Sequence, residues 1–184
     1  MTPIPSLPAP FWTPLADIGV LGFDGPDAAA FLQGQLSSDV AALAVGQAQW
    51  SSYNSPKGRM LGNFLLWRAA PEAYRAWVAA DLAEPLRKRL AMFVLRAKVQ
   101  VTDRTPLGPR FGVAGQGAAA AVAAALGDAP AAGHAVEHDG TAIVSAPDGR
   151  LLIHAPEARG AAVQTQLAAH AEAGDAARWH LLGI

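Results

Sequence analysis

Two cations sit on one tight turn, Lys57 and Arg59 in Ser55-Pro56-Lys57-Gly58-Arg59. Proline suits the second position of such a turn because its φ is already set, and glycine supplies a permissive backbone near its end. A turn that punctuates the fold and also presents positive charge is the one place where structure and ligand chemistry coincide. The other chemistry-bearing sets are poorer. His134 and His138 have the i, i+4 spacing of a helical metal pair, but Gly133 and Asp139-Gly140 bracket them with turn residues, so no metal site is expected. Ser51, Ser52 and Asp39 lack a histidine in any motif context, which leaves a hydrolase triad unsupported. Gly112-x-x-Gly115-x-Gly117 departs from the dinucleotide pattern and predicts a tight turn before a helix. Zero cysteines exclude disulfides, thiolate metal ligands and a cysteine nucleophile.

The cationic turn is flanked by residues that predict two strands, spanning Trp50 to Arg68 and rich in aromatic and aliphatic side chains. Before it, Asp17 to Phe23 predicts a strand. Gly25-Pro26-Asp27 then opens a helix through Phe31, Leu32 and Leu36, with proline in the first turn. After it, Ala73 to Ala79 predicts a third strand. Asp81 is placed to cap a helix with an apolar stripe of Leu82, Leu86, Leu90, Phe93 and Val94, provided that Pro85 falls in the first turn. Arg96 to Thr102 alternates as a strand with one wet face, and Pro156 to Ala171 predicts a last helix.

The chain has 184 residues, is 52% hydrophobic and 16% charged, and carries a net charge of −1. This suits one domain, or two small halves sharing a core. It offers no basic face for nucleic acid. No apolar run approaches the roughly 18 residues of a membrane span. The proline-rich start lacks the basic and apolar regions of a signal peptide. A soluble cytoplasmic protein with neither nucleic-acid nor membrane partner is the expectation.

The order of elements nearly repeats. Gly22 to Ala30 matches Gly112 to Ala120 at a spacing of 90, and Asn54 to Leu61 matches Ser145 to Leu152 at 91. The paired Pro-x-Gly-Arg turns carry most of this, and set Lys57 opposite Asp148 and Arg59 opposite Arg150. The expected fold class is α+β, with two related strand–helix–hairpin–helix subdomains and mainly antiparallel sheets. The boundaries are an extended lead-in over 1–16, subdomains over 17–106 and 107–176, and the start of a linker or next element over 177–184.

Three segments carry a family resemblance: Phe31-Leu-Gln-Gly-Gln-Leu-Ser-Ser-Asp-Val40, Tyr53-Asn-Ser-Pro-Lys-Gly-Arg-Met-Leu61, and Leu90 to Asp103, with Trp179 to Ile184 as a tail. On these the chain resembles the N-terminal region of the YgfZ family, relatives of the glycine-cleavage T-protein, an aminomethyltransferase. The resemblance implies a folate-binding fold, a tetrahydrofolate-type ligand and a role in the assembly or repair of iron–sulfur proteins. A flat pterin with an anionic tail needs an aromatic slot and a cation or two. The implied ligand residues are Tyr53, Asn54, Lys57, Arg59, Asn63 and Trp67, with Arg96 from a later strand; Trp50 and Lys98 lie among them. Each of these aromatics also reads as core, and Arg59 as a turn-tying residue like Arg150. The family's downstream motif resembling Lys-Gly-Cys-Tyr-x-Gly-Gln-Glu is not in these residues. Where T-proteins place acidic residues after the turn, this chain has Gly62-Asn63, so a non-catalytic binder is expected. A folate-dependent aminomethyltransferase and a ligand-free scaffold are the alternatives.

Overall fold

The structure is a computed structural model that describes residues 9–180. The first eight residues of the predicted lead-in and residues 181–184 of the predicted linker lie outside them. The elements, in chain order, are β1 (Phe11–Pro14), β2 (Ile18–Asp24), α1 (Ala28–Gln35), β3 (Ala48–Asn54), β4 (Met60–Ala70), β5 (Ala73–Ala79), α2 (Ala80–Ala91), β6 (Gln100–Asp103), β7 (Arg110–Ala114), α3 (Ala118–Leu126), β8 (His134–His138), β9 (Thr141–Ser145), β10 (Leu151–His154), α4 (Glu157–Ala168), β11 (Glu172–Ala173) and α5 (Ala176–His180). Among the described residues no helix is long and apolar enough to cross a membrane.

The strands form two sheets. One has the order β3-β4-β5-β2-β6 and the other β11-β1-β7-β10-β9-β8. All pairings are antiparallel except β1 with β11. The sheets stack face to face, with helices on both outer sides. This explains why β2 and β4 read as nearly unbroken apolar runs: successive side chains point to opposite faces, and here both faces are covered. Leu21 and Phe23 of β2, with Phe64 and Leu66 of β4, join the layer under α1 and α2. Ile18, Val20, Leu65 and Trp67 enter the layer between the sheets. A third layer lies under α3 and α4, from Phe111, Val113, Val122, Ile153 and Val163. The α+β class with antiparallel sheets is the fold observed.

Several local expectations are corrected. Asp81 does not cap α2. The helix starts two residues earlier, with Ala79 at the cap and Asp81 in the first turn, where its charge favours the helix dipole. Pro85 lies in the helix interior, so its missing N–H leaves the Asp81 carbonyl without its helical donor. The helix ends at Ala91, which leaves Phe93 45% exposed instead of on the apolar stripe. Arg96 is in a loop, not on a strand; the strand begins at Gln100. The loop backbone is committed elsewhere: Lys98 N–H donates to the Asp27 carboxylate at 2.6 Å, and Asp27 N–H donates to Lys98 O at 3.3 Å.

The halves repeat at the level of topology, each a strand, a helix, a three-stranded meander and a second helix. The turn match from the sequence joins different hairpins, however. By strand order β4 corresponds to β9 and β5 to β10, so the Lys57 turn corresponds to Asp139-Gly140, not to Asp148. The two Pro-x-Gly turns are nonetheless the same local structure. Gly58 N–H donates to Ser55 O and Ser55 N–H to Arg59 O; Gly149 N–H donates to Ala146 O and Ala146 N–H to Arg150 O, all at 2.8 Å. Gly58 and Gly149 have φ of +78° and +85°, which only glycine adopts cheaply. Their arginines differ. Arg150 is buried and forks onto Asp148 at 2.6 and 3.1 Å, whereas Arg59 is exposed.

Candidate functional site

The hairpin of β3 and β4 is longer than the strands that face it. β4 runs for 11 residues and β10 for 4. At about 3.3 Å per residue, the hairpin overhangs the opposing sheet, and its inner face is left uncovered there. Residues paired across the hairpin share a face, so Trp50 with Leu65 and Ser52 with Asn63 point inward, while Tyr53 with Gly62 points toward α2.

The overhang closes one side of a cavity of about 230 Å³. Leu65, Trp77 and Leu152 make its floor, Trp50 a wall, and Asn63, Asp17 and His180 its polar rim. Trp50 is 37% exposed and Trp77 only 3%. Trp77 is held from behind by Trp67, stacked at 5.9 Å and 29°. Asp17 sits just before β2 and His180 ends α5; the imidazole Nε2 lies 2.9 Å from Asp17 Oδ2. Trp179, the residue before His180, is fully buried between the sheets and anchors this end of the chain.

The residues expected from the sequence are distributed unevenly around this cavity. Asn63 lines it. Trp67 is 2% exposed and backs Trp77 without reaching the cavity. Tyr53 is buried on the opposite face, where its hydroxyl meets Arg89 Nε at 3.2 Å. Asn54 is exposed on the hairpin and donates to Ser52 Oγ at 3.0 Å; Ser52 in turn donates to Ser37 Oγ at 2.9 Å. Lys57 and Arg59 are exposed at the tip, and neither forms an ion pair with the described residues. Arg96 is exposed in the loop after α2. Trp77, Asp17 and His180 were missed. Trp77 could have been found from the alternation of Ala73 to Ala79. Asp17 and His180 are too far apart in the chain for spacing to link them.

His154 stands behind Trp77, 8% exposed, its ring edge-on to the indole at 6.2 Å. Burial, and then the charges of Arg110, Arg104 and Arg75, push its pKa down to about 4 from 6.5. Between those values the unfolded chain binds more protons than the folded one, so stability should rise with pH through that window and fall as pH drops through it. The slope from this residue approaches about 1.4 kcal/mol per pH unit. In His154→Gln the melting temperature should vary less between pH 4 and 6.5 than in the parent. Parallel profiles would contradict this. His134 and His138 lie on β8, and among the described residues no group of three or more acidic or histidine side chains is placed to hold a metal.

No family model matches the chain. A protein of Serratia proteamaculans named tRNA-modifying protein YgfZ is 30% identical over 177 residues, covering 92% of this chain and 52% of that protein. Its namesake in Pectobacterium carotovorum is 27% identical, covering 96% and 53%. The chain is similar to these YgfZ proteins over nearly its whole length. It spans about half the length of the YgfZ proteins it matches. The glycine cleavage system aminomethyltransferase T of Bartonella henselae superimposes with a TM-score of 0.81 at 20% identity, over 91% of this chain and 47% of that one. A heterotetrameric sarcosine oxidase of Corynebacterium sp. U-96 gives 0.53 at 17% identity, over 86% and 81%. The chain therefore shares the fold of aminomethyltransferase T over nearly all of its length.

Proposed function

We propose that this chain is a non-catalytic folate-binding module that serves the maintenance of iron–sulfur proteins. By that route it would enter the tRNA modification for which its YgfZ relatives are named, without an RNA-binding face of its own. The observation that carries the reading is the indole-walled cavity, which continues onto the uncovered inner face of the hairpin. At about 230 Å³ the cavity is smaller than the roughly 300–1,000 Å³ of whole-ligand sites, and so suits one ring system and not an entire folate. The rest of the ligand would lie along Asn63, Ser52 and Asn54 toward the tip. Arg59 is four residues from Asn63, roughly 13 Å at strand spacing, and with Lys57 it would receive the glutamate carboxylates. The neutral Asn63 supports binding without aminomethyl transfer, because an amide on the strand after the turn cannot act there as an acid or base.

Tetrahydrofolate should quench the tryptophan fluorescence of this chain and raise its melting temperature. Trp50→Ala removes a partly exposed wall, so affinity should fall up to about tenfold, as stacking contacts of about 0.5–1.5 kcal/mol imply, with little change in stability. Fluorescence and melting temperature unmoved by millimolar tetrahydrofolate would defeat the reading.

A further inference from the structure

We propose that Asp17, positioned by His180, selects the ring that enters the cavity, by accepting hydrogen bonds from two adjacent N–H donors on the ring edge. This inference rests on the folate reading of the same cavity. A heterocycle seated between Trp50 and Trp77 buries its polar edge, and a buried donor or acceptor without a partner is costly. The cavity floor and indole walls offer no side-chain acceptor to satisfy such an edge, so the polar rim must do so.

That rim has three members of different character. Asn63 both donates and accepts, so it does not discriminate between edges. His180 places Nε2 within ion-pair distance of Asp17 Oδ2, 2.9 Å away. Among the described residues Asp17 is the one carboxylate on the rim, and a carboxylate has acceptor sites on both oxygens. His180 stands beside one oxygen at ion-pair distance, and the other makes no hydrogen bond with the described residues. The backbone holds the residue in place: Asp17 O accepts from Ala80 N at 2.8 Å, where β5 passes into α2. His180 is fixed by its buried neighbour Trp179. A group with fixed acceptors calls for a ring edge with donors side by side. The 2-amino-4-oxo edge of a pterin supplies them, as an exocyclic amine next to a ring N–H. A 2,4-dioxo ring of the same size puts a carbonyl oxygen where the amine was, and that oxygen would face the carboxylate.

The test compares pterin with lumazine, its 2,4-dioxo counterpart, by fluorescence titration of the chain and of Asp17→Asn. Pterin should bind at least about tenfold more tightly than lumazine. Asp17→Asn should bring the two affinities within about twofold of each other, because an amide can turn either face to the ring. His180→Gln should shrink the preference without abolishing it. Melting temperatures report whether each variant folds; should Asp17→Asn fail to, the parent's preference and its change in His180→Gln decide. Equal binding of pterin and lumazine by the parent overturns the inference and leaves the folate reading standing. So does a preference that survives in Asp17→Asn. If neither pterin nor tetrahydrofolate binds, the folate reading falls and the inference falls with it.

Discussion

Trp179→Ala should cost the fold about 3–5 kcal/mol, the usual range for removing a buried tryptophan. In a domain of this size that is a fall in melting temperature of very roughly 6–20 °C. The ring is fully buried in the layer between the sheets. One face lies flat on Gly112: a Cβ built on that glycine would stand 2.6 to 2.8 Å from three ring carbons. The guanidinium of Arg150 is 5.4 Å from the ring centroid. Gly112 is thus glycine because an indole occupies its side-chain space, and Gly112→Val should also destabilise, by about 1–3 kcal/mol through overpacking. The double variant Gly112→Val/Trp179→Ala decides whether this account is correct. Its loss should be smaller than the sum of the single losses by at least about 0.5 kcal/mol, since valine would fill part of the vacated space. Strict additivity would show that the two positions do not share one volume. Because His180 follows directly, Trp179→Ala should also weaken the preference for pterin over lumazine.

Trp77→Ala is expected to have the second large effect, on stability and binding together. Trp77 is 3% exposed, stacked on Trp67, edge-on to His154 and part of the cavity floor. Truncation should cost about 3–5 kcal/mol. It would also merge the cavity with the space over Trp67, leaving a bound ring with Trp50 alone to stack on. Tetrahydrofolate quenching should be lost. Trp77→Phe separates the two effects, because it retains an aromatic filler with a shorter reach. It should melt closer to the parent, yet bind tetrahydrofolate more weakly. Parent-like affinity in a folded Trp77→Phe would remove Trp77 from the site.

Much of the chain was legible where a local rule coincides with a local structure. Ala73 to Ala79 is a strand at those limits, opened by the turn at Pro71-Glu72 and followed directly by α2. The hairpin was legible from Pro56 and Gly58 for the same reason. Legibility ended where the deciding partner is distant. Arg96 to Gln100 alternates like a strand, but the backbone of Lys98 is bonded to Asp27, 71 residues away. The two Pro-x-Gly turns share their hydrogen bonds, and a local pattern carries no information about which strands of a sheet it joins. The cavity illustrates the limit most clearly. Asn63 was expected from the sequence, but the rim pair of Asp17 and His180 comes together only when α5 docks against β1.

The placement of β1 bears on how the chain is made. Phe11 and Trp12 lie beside Glu172 and Ala173, and Arg178 covers the Phe11 ring at 4.1 Å. A ribosome delivers those early residues long before the late ones that flank them. Meanwhile the five strands of the other sheet can assemble from residues 18–103 alone. The nascent amino-terminal segment must therefore wait with a bare backbone edge and an uncovered phenylalanine, a state prone to aggregate. Synthesis places a ready half and an expectant strand side by side, and residues 172–178 must emerge before that strand is covered.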